Sequence, residues 1–405
     1  MKTILFVDDE PNVLQGIRRM FRSEGNEWRA HYCNDPHQAL KLLDKEQFDI
    51  IFSDIRMPSM NGIELLTQVK IRHPDVARIV LSGYADRSIL LKSTMVCHQY
   101  LSKPCDIGQI VATVSQVCAM QNLVRDPDLR ILVSGIGNLP SLPALYLEIL
   151  DEISSDDGSI HGAGKIIAKD VNMSAKILQL VNSSFFGFPR KIDSILEAVN
   201  FLGFDLIRSL VLGDKIFACF DSGPSMIADI EKIWSASIRS SHLANQLARE
   251  AGLDDAGCSA TLLAGMLQDI GISILASNRP EKYSSITQNI DDEDKPRWQR
   301  EQAVFGHSHA EVGAYLLALW GFPVEIVNTV NFHHRPSSAP EPDQFTALSA
   351  VYIANLLLAE SAIPLAEYEI PDYDYLNSIG ALDYYSEWKK SFQEGKATTE
   401  SGQPK

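Results

Sequence analysis

No CxxC pair occurs in the 405 residues, and the six cysteines (Cys33, Cys97, Cys105, Cys118, Cys219, Cys258) are scattered. Such spacing excludes a paired-thiolate zinc site and fits reduced thiols packed as small hydrophobes better than a disulfide framework. Long apolar runs are also lacking: none approaches the roughly 18 residues that a spanning helix needs. The N-terminus turns acidic at Asp8-Asp9-Glu10 before a signal-peptide core can form, so the expectation is a cytoplasmic protein with no membrane partner. A basic excess is missing as well. Residues 1–121 hold 14 of the 36 Lys and Arg and 14 of the 52 Asp and Glu, so the whole formal charge of -16 lies beyond residue 121. Nucleic-acid binding needs cationic side chains to replace phosphate counterions; the expectation is no nucleic-acid partner, and a protein partner instead.

The hydrophobic fraction of 45% and charged fraction of 22% are those of a globular chain, and the length suggests two or three domains. The first 121 residues alternate short apolar runs with amphipathic stretches. Strands are expected at Ile4–Val7, Trp28–Cys33, Phe48–Phe52, Ala77–Leu81 and His98–Leu101, and helices from Pro11, Pro36, Gly62, near Asp86–Met95 and from Asp106. Five βα units predict a doubly wound, five-stranded parallel sheet whose crevice lies at the carboxyl ends of the strands. The residues at those ends are Asp8 and Asp9, Asp54, Ser82 and Lys103. Three converging carboxylates repel unless a cation joins them, and all-oxygen ligands suit Mg²⁺. Lys103 and the Ser82 hydroxyl offer a phosphoryl group a point charge and a hydrogen-bond donor.

Asp8-Asp9, Asp54 followed by Met57-Pro58 and Gly62, Ser82-Gly83 and Lys103-Pro104 together resemble the receiver domain of two-component response regulators. The resemblance implies a flavodoxin-like fold and a phosphoryl group accepted by Asp54 from the phosphohistidine of a kinase or phosphotransfer protein. It also implies Mg²⁺ held by Asp8, Asp9, Asp54 and the backbone carbonyl of Arg56, with Lys103 near the developing charge. In this family the Ser82 hydroxyl moves to the phosphoryl oxygen and the aromatic at the Tyr100 position turns inward. A cis Lys103-Pro104 bond is compatible with the resemblance, although the sequence leaves the trans form open.

Val124-Arg125-Asp126-Pro127-Asp128 interrupts the last helix, which places a linker at 123–130 between a receiver at 1–122 and an output domain at 131–390. Beyond it apolar residues recur at helical spacing, giving an all-α bundle with helices at 142–153, 162–182, 194–220, 226–251, 258–276, 308–319, 323–334 and 343–361. The aromatic-rich stretch 362–390 is expected to pack on that bundle and the polar tail 391–405 to be disordered. Gly158 to Lys165 is not a phosphate loop, because five residues separate its glycines and Ile166 stands where Ser or Thr is needed. His242 reads as an ordinary helical histidine.

Four of the ten histidines fall between His307 and His334, and Asp269 precedes them. With Leu139-Pro140-Ser141-Leu142-Pro143, Asn182 to Gly187, Leu202-Gly203, Ala264 to Gly271 and His309 to Gly313, they resemble the HDOD domain, a relative of the HD phosphohydrolases and HD-GYP phosphodiesterases. Where catalytic HD proteins carry metal ligands this chain has Ala236, Gln268-Asp269 and Asn355, with His309, His333 and His334 beside them. Alanine cannot ligate, and the two amides are neutral. The resemblance therefore implies a degenerate site, no metal in the HDOD half, no catalysis beyond the receiver's own phosphoryl chemistry, and output by contact with a downstream signalling protein; a homodimer is left open. The alternative is a receiver-switched, metal-dependent phosphohydrolase or cyclic-dinucleotide phosphodiesterase. Arg56 and Tyr84 flank the acceptor and are expected to set the lifetime of the phosphoryl group. Arg56→Ala and Tyr84→Ala should each change the dephosphorylation rate of the phosphorylated chain, and unchanged rates would remove that role.

Overall fold

The computed structural model describes residues 2–22, 28–83, 96–124, 126–136, 139–141, 143–155, 157–182, 188, 190–212, 218–219, 224–288, 295–340, 343–359 and 371–390. The chain divides into two compact units. The first takes Met1–Phe220 with Tyr315–Phe322, and the second Asp221–Ala314 with Pro323–Lys405.

In the first unit β1 (Lys2–Val7), β2 (Trp28–Cys33), β3 (Ile50–Ser53), β4 (Ala77–Ser82) and β5 (Gln99–Ser102) form one parallel sheet in the order β2-β1-β3-β4-β5. Helices α1 (Pro11–Arg22), α2 (Pro36–Leu43), α3 (Gly62–Arg72) and α4 (Ile107–Leu123) connect and follow the strands. The expected helix near 86–95 lies outside the described residues, as does the tail 391–405. β3 is buried at every position, as a central strand covered on both faces must be. Phe6 stacks between Tyr32 and Phe52 at centroid distances of 5.5 and 4.8 Å, and each such buried aromatic or aliphatic side chain contributes about 1.5–3 kcal/mol. α2 starts where Asp35 caps the His37 amide, and α3 starts with a capping box between Asn61 and Glu64.

The same unit continues into α5 (Pro127–Gly135), a two-stranded pair β6 (Pro140–Ser141) and β7 (Ala218–Cys219), and α6 (Pro143–Ser154), α7 (Ile160–Ile167), α8 (Val171–Val181), α9 (Ile195–Leu202) and α10 (Phe204–Leu212). Two expected long helices are broken. Asp170 caps the Met173 amide and starts α8 inside the 162–182 span, and Gly203, with φ of 80°, separates α9 from α10. Ser159 caps α7, so the Gly158–Lys165 stretch is a turn and helix start.

The second unit holds the long helix α11 (Pro224–Glu250), α12 (Asp255–Leu267), α13 (Ile270–Asn278), α14 (Pro280–Gln288), α15 (Arg297–Phe305), most of α16 (His309–Leu319), α17 (Val324–Phe332), α18 (Ala347–Ala359) and α19 (Tyr373–Ser378). Tyr375, Leu376, Ala381 and Tyr385 share a core with α11 and α18. Contrary to the expectation of no span-like stretch, Asp255–Asn278 has a mean hydropathy of 1.5 over its apolar window, but 72% of that window is buried and Gln268-Asp269 divides it into two helices.

All eleven residues of α8 are buried, Lys176 among them. Its ammonium lies 4.9 Å from the centroid of the Trp320 ring. Burial lowers its pKa from 10.5 to about 7. The unfolded chain therefore holds this proton up to pH 10.5, so the cost of the buried charge is full below about pH 7 and fades as pH rises toward 10.5. Lys176→Met should add on the order of 2–4 kcal/mol to the unfolding free energy below pH 7, with a shrinking gain at higher pH, as read by denaturant melts across that range.

Candidate functional site

The sheet register builds the acidic edge. Val7 pairs with Ser53, so the next residues, Asp8 and Asp54, leave adjacent strands side by side at the switch in strand order, where β1 lies between β2 and β3. The Asp54 amide donates to the Val7 carbonyl at 2.9 Å. Ser82 pairs with Ser102, and the residue after Ser102 is Lys103, whose Nζ donates to Asp8 Oδ2 and to Asp54 Oδ1, both at 2.5 Å. The Arg56 amide donates to Asp54 Oδ2 at 2.6 Å and the Glu10 amide to Asp8 Oδ1 at 3.0 Å. Asp8 and Asp54 are buried, Asp9 is half-buried and Arg56 is exposed.

Burial pushes the Asp54 carboxyl above its ordinary pKa; the Lys103 bond and charge and the Arg56 amide oppose this without cancelling it. Burial pulls Lys103 down, but its bonds to Asp54 and Asp8 leave it raised. The pocket therefore holds a carboxylate of raised energy beside a firmly charged ammonium. Tyr100 is buried in the apolar core beneath this edge, and Lys103-Pro104 is cis. The side chain of Ser82 and all of Tyr84 lie outside the described residues.

Gly62 holds the loop against Asp54: its amide donates to the Ile55 carbonyl at 2.9 Å, and a Cβ there would stand 1.9 Å from the Asp54 carbonyl oxygen.

The HD-type positions gather separately in the second unit. His309 is wholly buried; its Nδ1 lies 2.5 Å from Glu301 Oε2, the same oxygen that accepts from the His309 amide at 2.7 Å. Its Nε2 lies 3.4 Å from Asp269 Oδ1 and 3.0 Å from His334 Nε2. His333 places Nδ1 2.7 Å from the Val330 carbonyl, and its buried Nε2 has no hydrogen-bond partner among the described residues. Ser237 donates to Asp269 Oδ2 at 2.6 Å. Burial would raise Asp269, but the bond and charge of His309, the charge of His333 and the Ser237 hydroxyl hold it well below the usual carboxylate range.

Of the residues expected here, Asp269, His309, His333 and His334 come together. Ala236 is half-buried, and its neighbour Ser237 is the residue that reaches Asp269. Gln268 and Asn355 bond each other reciprocally at 2.8 and 3.2 Å, and Ser240 donates to Asn355 at 2.5 Å. Sequence reasoning missed Glu301 and Ser237. Ser237 carried a usable signal, standing beside the HD-type position on an amphipathic helix. Glu301 carried none, being one polar residue among Arg297 to Gln302. Two close crossings fix the frame: a Cβ on Gly271 would meet the His309 carbonyl at 2.0 Å, and one on Gly265 would meet Ser241 Cα at 2.8 Å.

Residues 4–115 match the response regulator receiver domain family, and residues 139–336 match the HDOD domain family. The chain is a receiver–HDOD response regulator. It is 26% identical over 250 residues to an uncharacterized protein of Treponema pallidum, covering 61% of this chain and 48% of that protein. It is 27% identical over 208 residues to the DNA-binding transcriptional regulator NtrC of Proteus hauseri, covering 45% and 43%. Among solved structures, the HDOD domain protein with unknown function from Geobacter sulfurreducens aligns at 22% identity and a TM-score of 0.37 over 70% of this chain and 96% of its own. The MmoQ response regulator from Methylococcus capsulatus aligns at 23% and 0.44 over 56% and 90%. The chain spans about half or less of the length of the first curated relatives it matches.

Gly62→Ala should cost the receiver–HDOD chain about 1–3 kcal/mol in denaturant unfolding, because the methyl group forces the Asp54 backbone aside. Gly16→Ala, inside α1 with nothing within 4 Å of the added Cβ, should instead be neutral or gain about 0.5–1 kcal/mol.

Proposed function

We propose that Asp54 is the phosphoryl acceptor of this response regulator and that its phosphorylation controls an HDOD domain whose output is contact with a downstream signalling protein. The observation that carries the reading is the Lys103 ammonium joined to both Asp8 and Asp54 at 2.5 Å on the edge where the strand order switches. A receiver implies a histidine kinase or a phosphotransfer protein as donor.

The donor set fits Mg²⁺: two buried carboxylates sharing one cation, Asp9 beside them, and the Arg56 backbone carbonyl on the adjoining loop, all oxygen ligands for a hard ion. When bound, Mg²⁺ would offset the charge of the transferring phosphoryl oxygens. The chain's own residues supply the rest. Asp54 Oδ1, the oxygen now bonded to Lys103, is the nucleophile; Lys103 carries the charge that meets the incoming phosphoryl group, and the Arg56 amide orients the second oxygen of Asp54. Raised in energy by burial, the Asp54 carboxylate would be stabilised by a bound cation, as Lys103 already stabilises it in part. The Ser82 hydroxyl and Tyr100 form the switch of this reading, a population shift whose size is set by how differently the phosphoryl group bonds the two states.

Two features support an output without hydrolysis. Gln268 and Asn355, where catalytic relatives carry charged ligands, satisfy each other, and Ala236 offers no donor atom. A bridging two-metal clamp for phosphodiester cleavage has no second set of ligands among these residues. The net negative charge beyond residue 121 likewise supports a protein partner over nucleic acid.

Incubation with a small-molecule phosphodonor and Mg²⁺ should label the chain once, with the label lost in Asp54→Asn and reduced at least tenfold in Lys103→Ala and Asp8→Asn. Labelling that survives Asp54→Asn would refute the assignment. In the same preparations Mg²⁺ should raise the melting temperature of the unsubstituted chain and leave Asp54→Asn unmoved.

A further inference from the structure

The sheet edge opposite the acceptor is bonded to the chain that follows the receiver. Arg78, the second residue of β4, and His98, which precedes β5, stand at the amino ends of their strands, whereas Asp54 and Lys103 follow the carboxyl ends. Both side chains are buried, and both reach one atom, the Ser134 carbonyl of α5: Arg78 Nη2 donates to it at 2.5 Å and His98 Nε2 lies 2.8 Å from it. The last carbonyls of a helix have no partner within it and carry the negative end of its dipole. α5 has no basic residue in its own last turn, so the receiver supplies the donors. Ser134 is held through its hydroxyl too, 3.1 Å from the buried Tyr315 hydroxyl.

We propose that His98 is an acid-sensitive latch: the neutral ring ties the receiver sheet to the end of α5, and a second ring proton releases that end.

The bonds of the ring fix its proton. His98 Nδ1 accepts the Arg78 backbone amide at 2.9 Å, and the His98 amide returns a bond to the Arg78 carbonyl at 2.7 Å. With Nδ1 an acceptor, the single N–H of a neutral imidazole is on Nε2, where the Ser134 carbonyl receives it. Nε2 is also 2.9 Å from Arg78 Nη2; the two donors come this close because they share one carbonyl oxygen. A second proton has only Nδ1 to bind, where it would point at the Arg78 N–H and set an imidazolium against a guanidinium. That guanidinium is held in place, its other nitrogens bonded to the carbonyls of Val96, Val76 and Pro74 at 2.7, 3.0 and 3.3 Å. Gln179 of α8 donates to the His98 carbonyl at 3.1 Å and pins the backbone that carries the ring. The charged groups acting on His98 from the elements packed around it are Arg78 of β4, Lys70 of α3 and Lys176 of α8, all cationic. Burial first, and then these charges, hold the ring well below its ordinary 6.5, although the Ser134 carbonyl opposes them. Once α5 lets go, a hydrated His98 takes a proton below pH 6.5 that the closed form refuses. Closure is therefore unaffected above pH 6.5 and weakens about tenfold for each pH unit below it.

The test follows amide hydrogen exchange of α5 in the full, unphosphorylated chain at pH 7.5 and 5.5, with the intrinsic chemical exchange rate at each pH divided out. Opening of α5 should rise about tenfold at the lower pH in the unsubstituted chain and by less than about twofold in His98→Gln, whose side-chain amide keeps a donor for the Ser134 carbonyl and takes no proton. No rise in the unsubstituted chain, or equal rises in both, overturns the latch. Ring-nitrogen NMR of the unsubstituted chain reads the same point without a substitution: His98 should stay a neutral Nε2–H ring at every pH where α5 remains protected. A ring that titrates near its ordinary value while α5 stays protected, or one carrying its proton on Nδ1, refutes the assignment. Neither readout uses Asp54, so the latch and the phosphoryl-acceptor reading can fail separately.

Discussion

Two carboxylates on neighbouring strand ends cannot both stay ionised in a half-buried crevice without a cation between them, and here that cation is the Lys103 ammonium, 2.5 Å from each. The rest of the receiver serves this constraint. Pairing of Val7 with Ser53 brings Asp8 and Asp54 together, pairing of Ser82 with Ser102 delivers Lys103 from the other side, and Gly62 lets the following loop close on the Asp54 carbonyl. Burial keeps the Asp54 pKa raised although Lys103 and the Arg56 amide oppose it, with a smaller contribution from the Asp8 charge.

The HDOD half gathers histidines where the receiver gathers carboxylates. There His309 and His333 are buried, and His309 stands between the carboxylates of Glu301 and Asp269. The difference between the two centres lies in their supporting contacts. In the receiver, backbone amides of Glu10 and Arg56 orient the carboxylates. In the HDOD half, Glu301, the Val330 carbonyl and Trp298 orient the imidazoles. A close helix crossing at Gly271 holds α13 against the start of α16, which places Asp269 near His309.

Much of the receiver was legible because parallel strands buried on both faces read as apolar runs, and because the loops that carry chemistry follow directly at their ends. Asp8, Asp54 and Lys103 could be placed from position alone. Helix boundaries in the output half were less legible. The 162–182, 194–220 and 258–276 stretches keep their apolar spacing straight through the breaks at Asp170, Gly203 and Asp269, so periodicity could not see them. Capping and a positive φ are local backbone events with almost no weight in a hydrophobic pattern. Lys176 was invisible for the opposite reason, since nothing in a sequence marks a lysine inside a fully buried helix.

The sequence by itself determined the order of the five receiver strands and the acidic edge that follows them, because those follow from residue type and short-range spacing, while the neutral residues at Ala236, Gln268 and Asn355 were marked only through the resemblance to HD proteins. Only the tertiary structure decided that Glu301 stands behind His309, that Ser237 rather than its neighbour reaches Asp269, and that Gln268 and Asn355 close on each other. These are pairings between helices separated by eight to eighty-seven residues. They depend on how close two backbones can come and on which buried polar atom must find a partner, quantities that no local pattern encodes.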